Sequence, residues 1–156
     1  MTSVESGTTS TPPVPPDKCL LDSGILIQHL RGSPQASAYL TELRGRCNPC
    51  ISAATAAELL VGCATADQVQ ATEDFLKTFE ILAIDYEVAR RTALLMHSHP
   101  GVFGREVARG FADALIAATA WSQDIALYTL NVRHFARVPI SEIRVHVIDQ
   151  TADVWE

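Results

Sequence analysis

Apolar positions along the chain fall into short blocks separated by turn-forming residues, and the blocks alternate between strand-like runs and helix-like spacing. Cys19-Leu20-Leu21 is a short apolar run suited to a buried strand, followed by Asp22-Ser23-Gly24. Ile25 to Leu30 reads as a helix ending at Gly32, and Pro34 opens a second helix that runs to about Arg44, with Gly45 at its end. Ile51-Ser52-Ala53-Ala54 is a second strand, feeding a helix through Thr55 to Cys63. Asp67 to Thr78 is helical, with Val69, Phe75, Leu76 and Phe79 on or near one face. Ile81 to Ile84 is a third strand, and Asp85 caps a helix from Tyr86 to His97. His99 to Gly110 holds Pro100, Gly101, Gly104 and Gly110 and reads as a loop or broken helix. Phe111 to Ser122 is a very apolar helix, Ile125 to Thr129 a fourth strand and Arg144 to Ile148 a short fifth. Strands alternating with helices predict an α/β layer fold with a mostly parallel sheet of four to five strands. In such folds reactive groups collect beyond the carboxyl ends of the strands.

Residues Met1 to Asp17 stand apart. They are rich in Ser and Thr, hold four of the eight prolines and offer almost nothing to bury, so a disordered tail is expected over 1–17 and one folded domain over 18–150. Composition narrows the function classes. With 12 basic against 18 acidic residues, a net charge of -6 and 6% aromatics, the chain has neither a large basic face nor a dense stacking platform for nucleic acid. Contact with nucleic acid would need another agent, and a bound divalent metal is one. No apolar run approaches the ~18 residues of a membrane span, and the start lacks a basic, then apolar secretory pattern. Cys19, Cys47, Cys50 and Cys63 are irregularly spaced, so free thiols in a reducing, cytoplasmic setting are expected.

Three acids sit in segments otherwise built for burial. Asp22 is the only charge between Cys19 and Gln28, Glu58 the only one from Ile51 to Ala66, and Asp113 the only one from Phe111 to Gln123. A carboxylate in such surroundings is costly unless paired. Asp22 and Asn131 follow strands, while Glu58 and Asp113 are placed in the first turns of helices, so all four positions fall at one end of a parallel sheet. Three acids meeting there repel one another, and a hard divalent cation such as Mg²⁺ or Mn²⁺ relieves the repulsion. Capping explains Asp22 or Asp113 taken singly. It does not explain Glu58, which stands inside a helix among alanines and leucines.

These segments resemble the PIN-domain ribonucleases, and in particular the VapC toxins of toxin–antitoxin pairs. Leu20-Leu21-Asp22-Ser23-Gly24-Ile25-Leu26-Ile27 with His29-Leu30-Arg31-Gly32 is similar to the family's opening strand, first acid and helix. Ile51-Ser52-Ala53 through Ala57-Glu58-Leu59-Leu60-Val61-Gly62 resembles its second motif. The segment from Ala112 through Asp113 to Ala120 is the nearest match, and Leu127 to Phe135 resembles the last motif. The four stretches follow in the right order and at the right distances, and the resemblance covers nearly all of Lys18 to Ile148; the tail lies outside the pattern.

The resemblance implies a PIN-like three-layer fold and metal-dependent hydrolysis of RNA phosphodiesters. Asp22 and Asp113 would be the main Mg²⁺ ligands, with Mn²⁺ as a substitute. Glu58 would complete the acidic cluster and Asn131 would ligate or orient a water. The resemblance also implies a homodimer, a VapB-type antitoxin encoded alongside, an RNA substrate and no membrane. Two positions depart from the pattern: Asn131 stands where many relatives have a fourth acid, and Gly24 where a polar residue is more common. Asn131 keeps one alternative open, a PIN scaffold that binds a partner without catalysis; a second alternative is a metal-dependent nuclease on a similar frame acting on DNA. A haloacid-dehalogenase phosphatase is excluded because Gly24 occupies the place of its second Asp. A receiver domain is excluded because the only lysines are Lys18 and Lys77.

Other features read more simply. Cys47-Asn48-Pro49-Cys50 lacks the second pair that zinc needs, and it leads into a strand instead of following one. His97-Ser98-His99 suits a helix C-terminus. Arg31, Arg105, Arg109 and Arg133 flank the motifs, where they either grip RNA phosphates or form a solvated surface.

Overall fold

A computed structural model of the chain describes residues 17–104, 110–131, 135 and 140–148. Residues 1–16 of the expected tail, together with Arg105, Arg109 and Arg133, lie outside these. Five strands form one sheet: β1 (Lys18–Leu21), β2 (Asn48–Ser52), β3 (Glu80–Leu82), β4 (Ala126–Thr129) and β5 (Val145–Val147). Their order is β3-β2-β1-β4-β5, and every pairing is parallel. The helices between them are α1 (Ser23–Leu30), α2 (Pro34–Arg46), α3 (Ala53–Val61), α4 (Ala66–Leu76), α5 (Tyr86–Ser98), α6 (Pro100–Phe103) and α7 (Phe111–Gln123).

Strand alternation divides the core into two layers. Leu20, Cys50, Leu82 and Leu127 point to one face and pack with Leu95, Phe103 and Ile116 of α5, α6 and α7. Leu21, Ile51 and Tyr128 point to the other face and pack with Ile25, Tyr39 and Leu59 of α1, α2 and α3. Local chemistry starts α2 and α5 at Pro34 and Tyr86, as expected, whereas Ala53 and Ala54, expected to end a strand, open α3 because Ser52 already caps it. Ser33, Ser52, Thr65 and Asp85 each accept a backbone N–H at the head of α2, α3, α4 and α5, and Pro34 occupies the first turn of α2.

Three further expectations need correction. Strand β2 begins at Asn48, not Ile51. Pro49 is tolerated there because β3 pairs only with Cys50 to Ser52, so its missing N–H falls where β2 has a neighbour on one side alone. Helix α1 begins at Ser23, directly after its cap Asp22. Four free thiols are not found: Cys19 and Cys47 form a disulfide, with Cα atoms 6.3 Å apart, while Cys50 and Cys63 are free. The two half-cystines are distant in sequence, but parallel pairing of β1 with β2 brings them together on the α1–α2 face. The same alternation turns Cys50 to the opposite layer, so the two ends of the C-x-x-C do not face each other. The stretch after α5 holds the short α6 before its glycines. His97 lies in the last turn of α5, and His99 Nε2 meets Glu142 Oε2 at 3.0 Å. Among the described residues no helix is long and apolar enough to cross a membrane.

Candidate active site at the carboxyl ends of β1 and β4

The strand order reverses at β1, which passes the chain toward β2 on one side and lies beside β4 on the other. A parallel sheet opens a crevice at such a switch point, beyond the carboxyl ends of the two strands. Asp22 follows β1 directly, and its N–H bonds the Tyr128 carbonyl of β4 at 2.9 Å. The residue is 7% exposed, and its carboxylate is fixed from two directions. Oδ1 accepts the Ser23 N–H at 2.8 Å, and Oδ2 accepts the hydroxyl of the fully buried Thr129 at 2.6 Å. Thr129 Oγ1 in turn accepts the Asn131 N–H at 3.0 Å. Asp22 is therefore both a helix cap and a wall of the crevice.

Asp113 reaches the same crevice from α7. It stands in that helix's first turn, where the positive end of the dipole favours a carboxylate. The helix starts abruptly after Gly110, whose φ of 73° is left-handed. A Cβ at Gly110 would run into the Phe103 carbonyl, so only glycine lets α7 begin here. Asp22, Ser23, Gly24, Asp113, Leu130 and Asn131 line a cleft of about 340 Å³.

Glu58 is placed differently. It lies in the second turn of α3, not the first, and its side chain borders two adjoining grooves instead of lining that cleft. One of these grooves also holds Arg31. Electrostatics still couple Glu58 to the other acids. Burial pushes its carboxyl above the usual carboxylate range, a hydrogen bond from Ser23 pulls it back, and the charges of Asp22 and Asp113 push it up again. Two residues not singled out in the sequence complete the site: Thr129, which holds Asp22, and Ser23, which touches both Asp22 and Glu58. The only signal in the sequence was a hydroxyl residue at the end of β4 and another at the start of α1.

Among the described residues no three Asp, Glu, His or Cys side chains form a ready-made metal cage. The donors at the cleft are nonetheless hard oxygens: two carboxylates and, at Asn131, an amide carbonyl. This set fits Mg²⁺ or Mn²⁺, since Mg²⁺ retains several waters and uses one or two carboxylates.

The PIN domain family pattern matches residues 19–141, the span that holds the parallel sheet up to β4 and its flanking helices. Over 116 residues, 74% of this chain and 84% of the relative, the sequence is 38% identical to ribonuclease VapC10 of Mycobacterium tuberculosis. Over 123 residues, 77% and 94% respectively, it is 34% identical to ribonuclease VapC19 of the same organism. The toxin–antitoxin complex from Klebsiella pneumoniae aligns with a TM-score of 0.63 at 29% identity, covering 81% of this chain and 98% of that chain. The chain belongs to the PIN-domain family and is a homologue of the VapC ribonucleases.

Proposed function

We propose that this protein is a Mg²⁺-dependent endoribonuclease, the toxin of a type II toxin–antitoxin pair, held in check by a VapB-type antitoxin and working as a homodimer in the cytoplasm. The observation that carries the reading is the meeting of Asp22 and Asp113 at the β1–β4 cleft, with Glu58 electrostatically coupled to both. The relatives named above are ribonucleases, and the Klebsiella structure is a toxin–antitoxin complex.

Asp22 and Asp113 would hold the cation, with Asn131 contributing its amide oxygen or orienting a water. The bound cation would lower the pKa of a coordinated water and offset charge on the phosphate oxygens. Thr129 and the Ser23 N–H keep the Asp22 carboxylate in one orientation, so little reorganisation is needed when RNA arrives. Glu58, whose carboxyl feels the charges of Asp22 and Asp113, would complete the acidic cluster from the α3 side, directly or through a coordinated water. Arg31, on the groove it shares with Glu58, would take an RNA phosphate and supply positive charge that the net balance of the chain lacks.

Expression without an antitoxin tests the reading in cells. Induction of the wild-type chain is expected to arrest growth, and Asp22→Ala to relieve the arrest at equal protein level. Equal arrest by the two would mean that the harm is not enzymatic.

A further inference from the structure

We infer that Phe103 and Phe135 are positioning residues of the cleft: their edge-on ring contact braces the start of α7, which carries Asp113, against the segment after β4 that holds Asn131. The inference rests on the nuclease reading above. Phe103 ends α6 and is 1% exposed, and Phe135 is 7% exposed. Their ring centroids are 6.1 Å apart with the planes at 73°, the edge-to-face arrangement that aromatic pairs favour. Each residue reaches one side of the cleft through its own backbone. The Phe103 carbonyl lies against Gly110, whose carbonyl accepts the Ala114 N–H at 2.8 Å in the first turn of α7. The Phe135 N–H donates to the Asn131 carbonyl at 3.3 Å.

These contacts close a circuit around the cleft. It runs from Asp22 through the Thr129 hydroxyl to the Asn131 N–H, then through Phe135 and Phe103 to Gly110 and the helix of Asp113. Hydrogen bonds fix the Asp22 half, and the ring pair joins the Asp113 half to it. A second tie runs alongside. His99 Nε2 meets Glu142 Oε2 at 3.0 Å, and the His99 carbonyl accepts the N–H groups of Val102 and Phe103. Helix α6 is thus held at both ends to the stretch that follows β4. The spacing of donors across the cleft matters because Mg²⁺ demands near-octahedral oxygens, whereas Ca²⁺ accepts irregular sets.

The test measures Mn²⁺ binding by electron paramagnetic resonance of the free ion, and Mg²⁺ and Ca²⁺ binding by competition with Mn²⁺. The proteins are the wild type, Phe103→Leu, Phe135→Leu and the double variant. Leu95→Val is the control, because Leu95 is buried in the same layer on α5, a helix that carries no site residue. Each Phe→Leu change is expected to weaken Mg²⁺ binding by about twofold to tenfold, the range that loss of one aromatic pair spans. Ca²⁺ binding should weaken less, so the Mg²⁺-to-Ca²⁺ affinity ratio falls. The double variant is expected to match the single ones, since either change alone removes the ring contact. Leu95→Val should lower the melting temperature and keep the wild-type ratio. A wild-type ratio in both Phe variants, an equal fall in Leu95→Val, or losses that multiply in the double variant would overturn the role. Phe103→Met and Phe135→Met fill the space without a ring, so they are expected to lower the ratio even if the leucine variants fold badly; wild-type ratios in them would also overturn it. A wild type that binds Mn²⁺ and cleaves RNA beside unaffected variants sinks only this inference, whereas a wild type that does neither takes the nuclease reading down with it.

Discussion

Replacing Thr129 by Val tests how firmly the fold holds Asp22. The two side chains have nearly the same shape, and Thr129 is fully buried, so the change leaves no cavity and removes one hydroxyl. That hydroxyl has two bonds. It donates to Asp22 Oδ2 at 2.6 Å and accepts the Asn131 N–H at 3.0 Å. A hydrogen bond to a charged group contributes about 1.5–3 kcal/mol, and a neutral one about 0.5–1.5 kcal/mol. Asp22 keeps the Ser23 N–H, and partly exposed Asn131 can recover some solvation, so the expected net loss is about 2–3 kcal/mol. Against a typical domain stability of about 5–15 kcal/mol, this is large enough to measure by urea unfolding. The midpoint should fall with the slope unchanged, and Thr129→Ser, which keeps the hydroxyl, should lose only about 1 kcal/mol for its missing methyl. Cleavage should fall further than stability, because Asp22 would no longer be held in one orientation. A Thr129→Val protein within about 0.5 kcal/mol of wild type, the scale of an unimportant surface change, would refute the reasoning.

Glu58→Gln is expected to abolish cleavage yet stabilise the fold at pH 7. Burial and the neighbouring acids raise the folded-state pKa of Glu58 above its unfolded value, so its ionised form costs stability, and that cost appears as pH rises through the folded pKa. The gain from glutamine should be about 0.5–1 kcal/mol, discounted because Glu58 is half-exposed, and should vanish as pH falls toward 4 in melting experiments. Gly110→Ala is expected to cost about 2 kcal/mol or more, since it combines a left-handed backbone with a clash at the Phe103 carbonyl. A melting temperature equal to wild type would show that α7 can begin without glycine.

Much of this arrangement was legible because its signals are local. Asp85 as a cap, Pro34 at a helix start and the alternation of short apolar runs with longer helical ones depend on a few neighbouring residues, and each appears where expected. The three acids were legible because isolated charge in apolar surroundings needs an explanation wherever the chain later goes. What escaped depends on pairing between distant segments. Asn48 and Pro49 fall outside the expected strand until β3 is known to begin its contacts only at Cys50. Cys19 and Cys47 look unrelated until β1 lies beside β2. Thr129 and Ser23 look like ordinary strand-end and helix-start residues until the sheet brings the first to Asp22 and α3 brings Glu58 to the second.

The most direct measurement of the central claim is RNA cleavage by the purified protein with Mg²⁺, with Mn²⁺ and with EDTA. An Asp22→Ala, Asp113→Asn double variant, prepared identically and shown by melting to be folded, runs beside it. Cleavage that requires the metal and is lost in the variant is the predicted result. Cleavage that survives EDTA, or that the variant shares equally, would contradict it.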